Sequence, residues 1–167
     1  MVARETSIAR ETSILVAEDN ENDIIMLRRA ARNARFTNPL SIVNDGAEVI
    51  AYLQGDGKYA DRRRYPLPGL LLLDLKMPRK DGFEVLQWLR EQPQFTDLQV
   101  VVLSSSDEIR DINRAYELGA NSFLVKPMFF SEFVGMLEAL HGYCLRVWQQ
   151  EDRSLARAPV RAAAVGI

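Results

Sequence analysis

Leu70-Leu71-Leu72-Leu73-Asp74 is the stretch that decides the fold. Four consecutive leucines leave no alternate polar position, so this is not a strand with one wet face. It reads as a strand buried on both faces, the habit of a parallel sheet covered by helices. The run ends on a carboxylate, and ligands of open α/β sheets bind just beyond the carboxyl ends of the strands. Asp74 is thereby a candidate site residue, although a carboxylate there can also simply end the strand or cap the next turn. The following segment, Leu75 to Gly82, is kept out of regular structure by Pro78 and Gly82.

Outward from that strand the same pattern repeats. Ile14-Leu15-Val16-Ala17 is a short apolar strand ending in Glu18-Asp19-Asn20. Ile24, Ile25, Leu27, Ala30 and Ala31 follow at helical spacing, with Asn22 or Asp23 as the expected cap. Leu40 to Val43 is a second strand, and Asp45-Gly46 opens a second helix. After Asp74, Asp81-Gly82 starts a helix that Pro93 stops. Val100 to Leu103 is a fourth strand ending in Ser104-Ser105-Ser106. Asp107 is the expected start of the next helix, and Gly119 its closing residue. Phe123-Leu124-Val125 is a fifth strand, ending in Lys126-Pro127, and a last helix runs from about Phe129 to Gln149. Strand and helix alternate five times, which is the βαβ arrangement of a doubly wound α/β sheet with right-handed crossovers.

The 167 residues suit one domain with a full core, and 47% hydrophobic content suits a globular chain. A net charge of −2 offers no global attraction to nucleic acid or anionic membrane. The single cysteine, Cys144, excludes an internal disulfide, and no apolar run is long enough to span a bilayer. A cytoplasmic protein without nucleic-acid or membrane partners is therefore expected. The start carries a tandem repeat, Ala3-Arg4-Glu5-Thr6-Ser7-Ile8 then Ala9-Arg10-Glu11-Thr12-Ser13-Ile14, and lacks the apolar core of a signal peptide. We expect residues 1–12 to be a flexible tail, 13–150 the folded domain, and 151–167 a second flexible tail.

Gly55 to Pro68 is the longest irregular stretch. Gly55, Gly57 and Ala60 fit a loose dinucleotide pattern but follow a helix and lead into a strand, the reverse of what that motif needs. Gly57-Lys58 is followed by Tyr59, so no P-loop is present. The triplet Arg62-Arg63-Arg64 is expected to be a solvated loop.

The strand ends together make chemistry. Glu18, Asp19 and Asp74 crowd carboxylates, which repel and raise one another's pKa unless a cation intervenes. Oxygen-only ligation by few protein groups suits Mg²⁺. An aspartate can attack phosphorus and become an aspartyl phosphate. The Lys126 ammonium and the Ser104 hydroxyl would then meet the phosphoryl oxygens. A lysine between an apolar strand and a proline is poorly explained as a surface residue, and a cis Lys126–Pro127 bond would aim it inward.

In this order, Glu18-Asp19, Asp74 with Met77-Pro78 and Asp81-Gly82, Ser104, and Lys126-Pro127 resemble the receiver domain of two-component response regulators, the CheY-like family, over about Ile14 to Gln149. The long loop before Leu70 and the stretch Pro68 to Leu86 resemble the single-domain regulators paired with bacterial phytochromes. The resemblance implies a flavodoxin-like five-stranded sheet of order 2-1-3-4-5. It implies Asp74 as phosphoacceptor, Glu18 and Asp19 as the acidic Mg²⁺ pair, and the Lys76 backbone carbonyl as a further ligand. It makes Ser104 the switch hydroxyl, Phe123 the switch aromatic and Lys126 the phosphate partner, with a sensor histidine kinase as donor. Ser104 stands where threonine is commoner, and Phe123 lacks a tyrosine's hydroxyl.

Phosphorylation would then reshape the face made by the fourth helix, fifth strand and last helix. On the last helix, Phe133, Leu137, Leu140, Cys144 and Val147 form a core-facing stripe. Phe129, Met136, Tyr143 and Trp148 add apolar surface, read as a homodimer contact. His141 is expected at the surface. The chain is expected to be a phosphoacceptor signalling protein rather than an enzyme, at most dephosphorylating itself slowly, with a downstream protein the sequence does not name. Two alternatives fit the residues less well. A phosphate-independent scaffold sits poorly with the complete acid, serine and lysine set. A phosphohydrolase would want a second aspartate where Lys76 stands.

Overall fold

Leu70–Leu73 forms β3, and each of its four side chains is buried to 2% exposure or less. Leu71 and Leu73 enter one apolar cluster while Leu70 and Leu72 enter another, so the strand feeds a core on each face. The computed structural model describes residues 13–151, with side chains as far as 142. The expectations for both tails, and for the side chains of Tyr143, Cys144, Val147 and Trp148, lie outside the described residues.

The chain alternates β1 (Ile14–Ala17), α1 (Glu21–Asn33), β2 (Leu40–Val43), α2 (Gly46–Gln54), β3, α3 (Gly82–Arg90), β4 (Gln99–Ser104), α4 (Ile109–Glu117), β5 (Ser122–Val125) and α5 (Phe130–Glu151). Short 3₁₀ turns lie at Gly57–Ala60 and Pro93–Phe95. The strands form one parallel sheet of order β2-β1-β3-β4-β5, as expected. Parallel neighbours need long crossovers, and the helices that supply them cover both faces. Leu27, Ala30 and Ala31 of α1 join Phe133, Leu137 and Leu140 of α5 over one face. Val49, Tyr52 and Leu53 of α2 join Val85 and Leu86 of α3 over the other. The described part of the α5 stripe is thus buried as its spacing predicts.

Three local expectations change. Asn20, not Asn22 or Asp23, caps α1: its backbone is extended and its side chain accepts the Asp23 N–H at 3.1 Å. A cap must stand just outside the helix, and α1 already begins at Glu21. The helix expected from Asp107 begins at Ile109, because Ser106 and Glu108 remain outside it. Gly119 does follow that helix with a left-handed φ of 103°.

The arginine triplet is the third. Arg62 is half-buried and turned back onto α2, donating to the carbonyls of Tyr52 (2.8 Å) and Leu53 (2.9 Å) and to that of Tyr65 (3.3 Å). The last carbonyls of a helix lack intrahelical donors, and a guanidinium supplies several at once. Around it, Tyr52, Tyr59 and Tyr65 pack ring to ring with centroids 5.0–6.0 Å apart. Arg62→Ala is expected to lower unfolding free energy by about 1–3 kcal/mol through loss of charge-assisted bonds. Arg63→Ala, at an exposed side chain, should stay within about 0.5 kcal/mol of the parent. Urea denaturation of both variants measures the contrast.

Candidate functional site

The register brings the strand ends together. Ala17 pairs with Leu73, so Glu18 and Asp74, one residue on, stand side by side at the carboxyl edge. Their backbones continue the ladder: Asp74 N–H donates to Ala17 C=O (3.1 Å), and Glu18 N–H to Val43 C=O (3.0 Å). Glu18 and Asp74 are each 5% exposed, whereas Asp19 is open to solvent. On the other side, β5 pairs with β4 through Ser104↔Val125, and Lys126 N–H donates to Ser104 C=O at 2.8 Å. That continued pairing aims Lys126 at the site. No described peptide bond is cis, so the inward aim comes from strand register rather than from proline isomerism.

The Lys126 ammonium is the hub. Its Nζ lies 2.6 Å from Glu18 Oε2, 3.0 Å from Asp74 Oδ2 and 3.0 Å from Asp23 Oδ2. Three N–H donors thus meet three carboxylates. Asp23 was missed as a site residue because it lies within a helix. Its signal was available, since it stands in the first turn of the helix that directly follows the acidic strand end Glu18-Asp19.

The loop after β3 is pinned by two close approaches. Gly82 N–H donates to Leu75 C=O (3.0 Å), and a Cβ on Gly82 would stand 2.4 Å from the Asp74 carbonyl oxygen. Gly46 N–H donates to Lys80 C=O (2.9 Å), where a Cβ would stand 2.3 Å from that oxygen. Only glycine fits either place, so the loop's path is set by backbone contact. Lys76 lines the open cleft above Asp74, and its N–H donates to Asp74 Oδ1 at 3.2 Å.

Ser104 is wholly buried, and its Oγ accepts the Ser106 N–H at 3.2 Å. The serine that lines the cleft is its exposed neighbour Ser105. Phe123 is 4% exposed and packs inward with the α2–α3 cluster.

The sequence pattern of the response regulator receiver domain matches residues 14–138. The chain belongs to that family. Response regulator Rcp1 of Synechocystis sp. is 33% identical over 132 residues, spanning 79% of this receiver's chain and 88% of its own length. The phosphorylated cyanobacterial phytochrome response regulator RcpA is 34% identical with a TM-score of 0.73, over 81% of this chain and 94% of its own. The Mn²⁺-bound form of Rcp1 superposes with a TM-score of 0.71 at 32% identity, over 80% of this chain and 94% of its own. Receiver domains take their phosphoryl group from histidine kinases, so this chain is a phosphorelay signalling protein. No helix among the described residues is long and apolar enough to cross a membrane.

The receiver's electrostatics favour a cation. One oxygen each from Glu18, Asp19 and Asp74 lies within 4.8 Å of the others, and one ammonium serves three carboxylates, Glu18, Asp23 and Asp74, with Asp19 left outside its reach. The donors are hard oxygens beside an open cleft, which fits a small divalent ion that keeps some of its waters. Burial pushes the Glu18 carboxyl up from 4.5 to about 7, against the hydrogen bond from Lys126. Burial also works against the Lys126 charge, but the hydrogen bond to Glu18, the nearby Asp74 charge and the bond to Asp23 prevail, holding it above the usual lysine range.

A carboxyl raised in the folded state binds its proton more tightly there than when unfolded. Its contribution to stability is therefore full below about 4.5 and is lost as pH rises through about 7. In EDTA, urea denaturation between those values should show stability falling with pH by up to about 1.4 kcal/mol per unit from this group. Glu18→Gln should flatten that slope, and equal slopes in parent and variant would contradict the assignment.

Proposed function

We propose that Asp74 is the phosphoacceptor of this receiver and that a sensor histidine kinase of the phytochrome class is its donor, in the cytoplasm. The observation that carries the reading is the Lys126 Nζ held 3.0 Å from Asp74 Oδ2 at the shared carboxyl edge of the sheet. An Asp74 carboxylate oxygen attacks the phosphorus of a phosphohistidine. The O–P bond forms as the N–P bond breaks, and the imidazole nitrogen leaves with its electron pair and takes up a proton. Lys126, already at the carboxylate, then meets the phosphoryl oxygens. Glu18, Asp19 and Asp74, with the Lys76 backbone carbonyl, are the groups that would hold Mg²⁺, which supplies positive charge against those oxygens when bound. The Mn²⁺-bound relative supports that choice of ligand class.

Ser104 is the switch hydroxyl and Phe123 the switch aromatic in this reading. The RcpA likeness supports the phytochrome link, since that protein is a phytochrome response regulator. The output is a changed surface rather than a released product, with slow self-dephosphorylation the only turnover. Treatment with acetyl phosphate and Mg²⁺ should add one phosphoryl group by intact mass. The gain should vanish with EDTA and in Asp74→Asn. No gain in a protein with native circular dichroism would overturn the reading.

The same reading includes a homodimer through the α4–β5–α5 face. Ile109 is 75%, Met128 85% and Phe129 64% exposed on that face, an apolar group without cover among the described residues. Sedimentation of the phosphorylated protein should give the dimer mass, and Phe129→Glu should shift it toward monomer. A monomer mass for the phosphorylated parent would remove the dimer.

A further inference from the structure

Helix α4 is attached differently from its neighbours. Of its nine residues only Ala115 is fully buried, whereas the nine-residue α3 buries Gly82, Val85 and Leu86. Apolar burial is the main force that docks a helix, and α4 has little of it. Directional side-chain contacts hold it instead. Ser106 Oγ donates to Asp111 Oδ2 at 2.7 Å, and Arg90 Nη1 donates to the Glu117 carbonyl at 3.0 Å. The Arg114 guanidinium lies over the Phe83 ring, 4.2 Å from its centroid. The Phe123 N–H donates to the Tyr116 phenol oxygen at 3.1 Å.

The last contact is the informative one. Among the described residues strand β5 pairs only with β4, so its outer edge faces no further described strand. Outer-edge N–H groups need a partner from water or from a side chain. Tyr116 supplies that acceptor at Phe123, the residue whose ring packs inward. A single phenol therefore joins the backbone of the proposed switch residue to a helix with little burial of its own.

We infer that Tyr116 is a positioning residue, a clamp through which the state of β5 at Phe123 is transmitted to α4. The inference rests on the reading of Phe123 as a switch residue. While Phe123 keeps its inward position, its N–H stays at the phenol and α4 stays docked. When β5 shifts at this point the bond is strained, and α4 follows because little apolar burial opposes its movement. Asp111 holds the other end of the same helix to Ser106, whose N–H bonds the Ser104 hydroxyl oxygen. Helix α4 is thus tied near one end to the strand of one switch residue and near the other end to that of the second.

The test is hydrogen exchange by mass spectrometry on the full chain, with and without acetyl phosphate and Mg²⁺. The parent, Tyr116→Phe and Arg114→Ala are compared, and intact mass reports the phosphorylated fraction. Tyr116→Phe should be phosphorylated as fully as the parent. Its exchange over residues 109–118 and 120–126 should be about 2- to 10-fold faster without phosphate, the effect of one lost hydrogen bond. The change that phosphorylation produces over 109–118 in the parent should be lost. Arg114→Ala removes a different α4 contact, so it should quicken exchange in both states and keep the phosphorylation-dependent change. A Tyr116→Phe protein that retains the parent's change overturns the clamp alone, as does an Arg114→Ala protein that loses it equally. Unaltered exchange over 120–126 in Tyr116→Phe overturns the clamp whatever the phosphorylation result. A parent whose 109–118 segment ignores phosphorylation removes both the clamp and the switch reading.

Discussion

One buried ammonium ties the carboxyl edge of this sheet together. Lys126 leaves β5, the edge strand, and reaches carboxylates that follow β1 and β3 and one that stands in α1. Each of those charges would be costly to bury alone. Their shared cation makes the cluster tolerable and fixes its spacing. The bond count is complete on the lysine side and incomplete on the acid side, which leaves negative charge over for a cation. The site is poised for a ligand because its charges do not balance without one.

The framework around that cluster is stiff where position matters. Strands β1, β3 and β4 are buried along their whole length, and the loop after β3 is held by two backbone approaches that only glycine permits. Asp74 therefore has little freedom in its backbone, and its carboxylate is oriented by one donor at each oxygen, the Lys76 N–H and the Lys126 ammonium. Preorganisation of this kind lets a carboxylate meet phosphorus without reordering its surroundings. Stiffness ends at α4, which exchanges apolar burial for a few oriented bonds. A core packed to high density moves in discrete steps, so a lightly docked helix beside it is where a small change at the edge becomes a change of surface.

Much of the site was legible because a parallel sheet has a rule: its strands all end at one edge, and polar residues that follow apolar runs collect there. Glu18, Asp19, Asp74 and Lys126 could be placed by that rule without knowing any distance. Phe133, Leu137 and Leu140 could be placed in the core by spacing alone. Composition excluded a strongly basic nucleic-acid binder for an equally simple electrostatic reason.

What the sequence could not decide are contacts between residues remote in the chain or dependent on a helix's starting residue. Asp23 and Lys126 are 103 residues apart, and their meeting depends on α1 starting at Glu21 rather than one turn later. Arg62 looked solvated within a basic triplet until the last carbonyls of α2 were found within its reach. Ser104 and Ser105 are adjacent, but Ser104 is the last residue of the buried strand β4 and Ser105 the first beyond it, where the chain reaches the open edge. Tyr116 reads as an ordinary helix aromatic, and only the packing of α4 on β5 brings its phenol to the Phe123 N–H. Strand order and edge chemistry follow from local apolar patterning, which a linear sequence carries. Partner choice follows from the relative positions of elements, which only the packed chain fixes.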